Sequence, residues 1–484
     1  MRLATSDEAN TIEPPLADWG PLLVRNASQR QLLPDVMRGV SRGLLRNELL
    51  AEAESYTISL CKKAQARGFT VPTPDSSTEV SPPVLMTGHQ SVVYHAGLLL
   101  KEELLNSCAA ENAATAISVT IDTDEGTSGE ITWPSQQGTS ILYKHASLVG
   151  SAEGILGRQR VVSASEVQKI FGEMLDDLRA SGLSHMSESV IRASRVYEAF
   201  AGEPIPEAHS VLRRVSRGHS HLEIPLSRLS MLPEAKRFFE QIISHGASFV
   251  RLYNSSLDSY RAAHKIKNAA NPFPNMKDDS EGVELPLWIL GAKGRRPLLL
   301  RQGAPPELST DEVIIPRGSI VTLLLRGFCS DLFIHGLGGG RYDHFIDEFG
   351  DAYLGSPLPS FVVASRTRFV FPGRVQALKD LLLLKSQIKD MVTHPEKFIG
   401  QDLFSGDEER VLLESQKTRE SLLAALREAS PSERRPITYQ LNNLNHSVRR
   451  FLEQTAIYQR LHASDCNEAT LAHLSNRELP FFLE

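Results

Sequence analysis

Cysteine is scarce in this chain. The four residues, Cys61, Cys108, Cys329 and Cys466, lie far apart and form no CxxC pair. That spacing argues against a disulfide framework and against a structural zinc site, and no metal site is expected. Long apolar runs are missing too. The longest, such as 321–325 and 381–384, fall far short of the roughly 20 residues that a bilayer demands. The first twenty residues, MRLATSDEANTIEPPLADWG, are polar and acidic and lack the apolar core of a signal peptide. Positive charge is not in excess: 52 Lys and Arg stand against 58 Asp and Glu, a net charge of -6. A general nucleic-acid or membrane-surface partner is therefore not expected, and a small-molecule substrate is. These absences together point to the cytoplasm. The HExxH, GxSxG and kinase signatures are absent as well, and no cysteine stands in a nucleophile context.

What is present describes a globular chain. Hydrophobic residues make up 41% and charged residues 23%, enough apolar material for a sizeable core. At roughly 100–200 residues per domain, the length allows two or three domains. Residues 1–35 read as an extended, proline-containing arm and 36–67 as a helix. The stretch 71–83 holds four prolines and reads as a loop. PVLMTG then reads as a buried strand ending at Gly88. Apolar residues at helical spacing follow over 91–108, and a β-rich run over 116–121. Strand, turn, helix and strand in succession make a βαβ unit, which implies a parallel sheet. Residues 163–202 and 231–269 read as helical, and 203–230 as a polar, basic connection between them. From 284 short β-rich runs return, among them LPLWIL, PLLLR, EVIIP, IVTLLLR, DLFIHG and SFVVA. Beyond Pro372, three Leu-rich, charged segments (374–391, 408–428, 439–462) read as a helical hairpin or coiled coil that needs a packing partner. The expected fold is thus α/β, a Rossmann-like parallel sheet with helical insertions and a C-terminal helical coiled coil. The expected division is 1–160, 161–283, 284–372 and 373–484, with a homodimer formed through the last segment.

Three segments carry candidate chemistry. Thr87-Gly88-His89-Gln90, with His95 and Lys101 beyond it, sits between a strand's end and a helix. Ligands of open α/β sheets bind at that edge, where free N–H groups favour phosphate or carboxylate. The same residues also fit an ordinary glycine turn. Asp122 and Asp124 follow the next β-rich run, where carboxylates can bind a ribose or amine or serve as a base, or simply form an acidic loop. The segment His335-Gly336-Leu337-Gly338-Gly339-Gly340-Arg341-Tyr342-Asp343 reads as a flexible loop able to cradle a phosphate, although it is neither a P-loop nor a dinucleotide fingerprint. Arg326 and Arg366, beside β-rich runs, can grip carboxylate or phosphate. Asn271-Pro272-Phe273-Pro274 reads as a rigid loop of the kind that often closes over a site.

Taken in order, these motifs resemble the bacillithiol-synthesis cysteine-adding enzyme family. That family's TGQQ turn and helix lysine match VLMTGHQSVVYHAGLLLKEEL. Its acidic segment matches IDTDEGTSGEI, its Gly-rich motif LLLRGFCSDLFIHGLGGGRYDHFIDEF, and a later strand FVVASRTRFVFP. His89 stands where the family has Gln, the acidic segment lacks its His, and Gly-Gly-Arg replaces Pro-Gly-Glu. The resemblance implies a core related to class I nucleotidyl-transferase folds, with the TGHQ segment where such folds place a phosphate-binding motif. It implies a nucleotide such as ADP or ATP as ligand, and the joining of cysteine or a similar carboxylate to an amino-sugar conjugate. His89, Gln90, Lys101 and Asp124 are then expected to be catalytic. Thr87, Gly88, His95, Asp122, Arg326, Gly336, Gly338, Gly339, Gly340, Arg341, Tyr342 and Arg366 are expected to bind substrate or nucleotide. A non-catalytic nucleotide- or metabolite-binding dimer is the competing expectation. A nucleic-acid protein, suggested only by Arg213, Arg214, Arg217 and His219, is the weakest.

Overall fold

The computed structural model describes residues 8–74, 82–126, 128–137, 140–150, 156–268, 270–292, 294–301, 304 and 307–483. The first seven residues of the expected arm and 75–81 of the expected loop lie outside that range. Two compact units are present: 8–368 together with 477–483, and 369–476.

In the larger unit, strand β1 (Glu8–Glu13) precedes helices α1 (Trp19–Leu32) and α2 (Arg42–Ala66). Strand β2 (Val84–Gln90), helix α3 (Ala96–Glu111) and strand β3 (Thr115–Ile121) form the βαβ unit. Helices α4 (Ala164–Ala180), α5 (Ser187–Ala199) and α6 (Ile205–Arg217) lead into β4 (Leu222–Pro225). Helices α7 (Pro233–Ser244) and α8 (Gly246–Ala263) follow, then strands β5 (Gly282–Gly291), β6 (Gly294–Leu300) and β7 (Val313–Pro316). Strand β8 (Leu332–His335), helix α9 (Leu337–Leu354) and strand β9 (Phe361–Arg368) complete it.

The central sheet runs β1-β9-β8-β2-β3-β4, parallel throughout except for β1, which pairs antiparallel with β9. The chain therefore builds outward from β2 through β3 to β4, then returns to the other side of β2 for β8 and β9. The order reverses between β2 and β8. Both faces are covered, so the strands read as near-continuous apolar runs. Alternate side chains still point to opposite faces. Val84, Met86, Ile117, Val119 and Phe333 join one core with α2, α7, α8 and α9. Leu85, Ala116, Leu332 and Ile334 join the other with α1 and α3.

Several elements differ from the sequence reading. The arm contains a strand and a helix. Of 36–67 only the part from Arg42 is helical, capped by Ser41, whose side chain accepts from the Leu44 amide. Helix α3 begins at Ala96 and not near Ser91, with the His95 ring accepting the Gly97 amide. The connection 203–230 hides the edge strand β4, because Glu223 puts a charge in a buried run. Arg214 Nε neutralises it at 2.7 Å. LPLWIL, PLLLR and EVIIP build a separate antiparallel sheet, β6-β5-β7, outside the central one. IVTLLLR is a helix, Ser319–Leu324, continued by a π turn, Leu325–Cys329. Short apolar runs carry no period that separates helix from strand.

Helix α6 also buries a histidine. His209 Nε2 donates to the Ser128 carbonyl at 2.6 Å, and Nδ1 accepts from the Tyr197 hydroxyl at 2.8 Å. Burial pushes its pKa down to about 3. Between pH 3 and 6.5 the unfolded chain binds a proton that the folded chain refuses. The contribution to stability is complete above pH 6.5 and is lost as the pH falls toward 3. His209→Asn is expected to shrink the stability difference between pH 6.5 and 4.5 by about 2 kcal/mol in urea unfolding. An unchanged difference would contradict a buried neutral His209.

In the smaller unit, α10 (Pro372–Ser386) is followed by α11 (Gly406–Glu428) and α12 (Pro431–Leu452). Helices α11 and α12 pair antiparallel, with Arg419 reaching Asn445 at 2.6 Å. Leu412, Val448 and Leu452 cluster with Met391 and Phe398 near one end of the pair. Among the described residues no helix is long and apolar enough to cross a membrane. The chain's last segment belongs to the larger unit. Leu479, Phe481, Phe482 and Leu483 are buried there. The Phe481 amide donates to the Tyr94 carbonyl at 2.8 Å, and Pro480 bridges His95.

Candidate functional site

A cavity of about 460 Å³ opens at the C-terminal ends of β2, β3 and β8, where the strand order reverses. That crevice is the usual ligand position in open parallel sheets. The pleat decides which side chains reach it. Gly88 and Gln90 continue the face of Met86, and His335 continues the face of Phe333. Gly88 is tightly placed, since a Cβ there would lie 3.2 Å from the Val119 carbonyl oxygen. Phe273, Leu226, Val321, Leu325 and Ile346 make the apolar lining.

One polar group in the cavity is cationic. Gln90 Nε2 donates to Asp124 at 2.7 Å, and Asp124 pairs with Arg295 at 2.5 Å. Arg295 and Arg317 both lie over the Trp288 ring, 4.8 and 4.4 Å from its centroid. Arg317 is held from behind by Glu284 at 2.7 Å. A planar guanidinium braced by an aromatic ring is pre-organised for carboxylate or phosphate.

The second polar group is a histidine with a carboxylate behind it. His335 Nε2 lies 2.9 Å from Asp343, which also accepts from Arg326 Nη1 at 2.5 Å. Burial raises the Asp343 pKa, but His335 and Arg326 outweigh it and hold the carboxyl below its usual range. In a neutral imidazole, donation from Nε2–H to that carboxylate leaves Nδ1 with its lone pair, the tautomer that a base needs. A Cβ on residue 339 would lie 2.8 Å from Nδ1, so Gly339 keeps that nitrogen clear.

The candidate residues read from the sequence divide by strand face. Gly88, Gln90, Asp124, Gly339 and Tyr342 line the cavity. His89 and Lys101 do not. His89 points to the α3 side, its ring edge-on to Tyr94, and burial pushes its pKa down to about 3. Lys101 is buried and donates to the Gly88 carbonyl at 3.0 Å, with its pKa lowered by burial to about 8. It braces the cavity wall from behind. Thr87 ties β2 to β8 through the Ile334 carbonyl. Asp122 accepts from the Ser227 amide and hydroxyl and does not line the cavity. Arg326 is buried against Asp343, Asp347 and Phe361 and supports His335 from outside the cavity. Arg366 is paired with Glu103 and Asn10. The glycines do not form a loop. Gly336 caps α9 and the others open its first turn. A Cβ on residue 340 would meet Val363 at 2.4 Å, so that glycine serves helix-to-strand packing. Arg341 and Gly340 open onto a neighbouring cavity that shares Tyr342 as a wall.

Sequence reasoning missed His335 as a base and Arg295, Arg317 and Trp288 as an anion grip. Trp288 and Arg295 belong to the separate antiparallel sheet and Arg317 directly follows its strand β7, whose pairing with β5 sets it beside Trp288. The rigid Phe273 loop does reach the cavity. No protein-family model and no curated protein matches the chain.

Proposed function

We propose that the chain is a condensing enzyme of the cysteine-adding type. It joins the carboxyl of cysteine or a similar amino acid to the amine of an amino-sugar conjugate, with a nucleoside triphosphate activating the carboxyl. The reading treats the sheet as a Rossmann-like core and α11–α12 as a coiled coil through which two copies pair. One observation carries it: a His–Asp pair and an Arg–Trp–Arg stack line one cavity where the strand order reverses. Amine attack on an activated carboxyl needs a base, and a carboxylate-oriented imidazole can supply one.

In this mechanism Arg295 and Arg317 hold the anionic group, and Gln90 and Asp124 orient the amine. The amine nitrogen attacks the activated carbonyl carbon. The C–N bond forms and the C–O bond to phosphate breaks. Phosphate departs with the electron pair, and His335 Nδ1 takes the amine proton. His89 and Lys101 act through position only.

The test combines nucleotides, amino acids and amino-sugar conjugates with the chain and looks for the condensed amide by mass spectrometry. Arg317→Ala is expected to weaken binding of the anionic substrate about 10–100-fold, the usual loss for a charged hydrogen bond. Binding without any product would leave the scaffold reading standing. Binding unchanged in Arg317→Ala would remove the anion grip. Sedimentation equilibrium of the same full chain is expected to give two copies, since Leu413 and Leu423 on α11 are each 40% exposed. A monomer at micromolar concentration would end the pairing proposal.

A further inference from the structure

His219 and His221 stand just before β4 and are 3% and 4% exposed. Their rings lie 5.2 Å apart between centroids. None of the four ring nitrogens has a hydrogen-bond partner among the described residues. Unpaired buried polar atoms are costly, and in folded proteins they point to a bound water or ion. A carboxylate is in place beside them. Glu102 on α3 is 1% exposed, and its Oε2 lies 3.6 Å from His219 Nδ1. One ligand atom from each of the three residues lies within 4.8 Å of the others.

We propose that Glu102, His219 and His221 form a site for a divalent transition metal, zinc by preference, that pins α3 to the segment entering β4. Two imidazoles and one carboxylate are a common zinc donor set, with the fourth position left to water or hydroxide. Ligand bonds of about 2 Å put the donor atoms roughly 3.3 Å apart in a tetrahedron. The closest pair is near that spacing, and side-chain rotation brings in the third. The outer contacts are those of a metal carboxylate. Ser118 Oγ donates to Glu102 Oε1 at 3.0 Å and Arg213 Nε to Oε2 at 2.7 Å, fixing its orientation. Arg213 and Arg214 are paired with Glu102 and Glu223, so the ion shares Glu102 with Arg213, and a hydroxide in the fourth position offsets part of its charge. The site is distinct from the crevice. It is linked to the crevice through α3, whose Lys101 braces the Gly88 carbonyl, and through β3, whose Ser118 holds Glu102.

The test uses the untagged full chain. Mass-spectrometric metal analysis of the purified protein is expected to find about one zinc per chain. After chelation with dipicolinate, added Zn²⁺ should raise Tm, and added Co²⁺ should give the visible absorption of a tetrahedral site. His219→Asn and His221→Asn keep the shape of the pocket and should each lower Zn²⁺ affinity at least about 100-fold. The proposal fails if the wild-type chain neither contains metal nor binds Zn²⁺ or Co²⁺ in equilibrium dialysis. It fails also if both variants bind as the wild type does. Should the variants not fold, the wild-type metal content and Co²⁺ spectrum still decide the question.

Discussion

His335→Ala is expected to lower turnover about 10²–10⁴-fold while leaving substrate affinity nearly unchanged. The imidazole makes no part of the anion grip, which rests on Arg295 and Arg317. Its loss therefore falls on kcat and not on KM. Asp343→Asn is the companion variant. An amide can donate to Nε2, which would send the proton to Nδ1 and remove the base without emptying the position. A comparable fall in kcat for both variants, with KM steady, supports the assignment. Full activity in His335→Ala would show that the proton leaves by another route, and Gln90 and Asp124 would then need re-examination as its carriers.

The second large effect concerns stability. Asp331 begins β8 and has no exposed surface. Its carboxylate accepts from Arg30 at 2.5 Å, Arg46 at 2.9 Å and the Val84 amide at 2.7 Å. Its carbonyl accepts from Asn26 at 2.8 Å. One residue thus ties α1, α2 and β2 to β8 at the sheet edge opposite the cavity. Asp331→Ala leaves Arg46 charged and buried without its carboxylate. Breaking a buried ion pair from one side costs about 3–5 kcal/mol. That is a large share of the roughly 5–15 kcal/mol holding a typical domain together. Urea unfolding should show the loss at neutral pH. A change under about 1 kcal/mol would mean that Pro82 and Cys329, whose carbonyls also accept from Arg46, suffice for it.

The βαβ unit was legible because strands covered on both faces leave unbroken apolar runs, as VLMT does before Gly88. Strand β4 was not, because buried Glu223 interrupts the run and its partner Arg214 lies in the preceding helix. The site was half legible. Gly88, Gln90 and Asp124 announced the sheet edge, but a period of two sends His89 to the opposite face, and nothing in the spacing TGHQ says which neighbour faces the ligand. His335 was obscured by the glycines after it, which read as a mobile loop and instead start a rigid helix. Trp288 and Arg295 share one local hairpin, but Arg317 joins them only through the pairing of β7 with β5, 27 residues apart at Trp288 and Ile315, which no local pattern encodes.

The return of residues 477–483 to the larger unit changes how the chain can be cut. The path leaves that unit after Arg368 and re-enters at Arg477. Both crossing points approach the same short stretch. A Cβ on residue 97 would lie 2.7 Å from the Arg366 carbonyl oxygen, and Pro480 bridges His95. Residues 369–476 therefore have the form of a cassette spliced into a closed loop, and simple truncation after Arg368 would also strip Phe481 and Phe482 from the core. Joining Arg368 to Arg477 through a short linker would excise the cassette and keep both ends of the larger unit anchored.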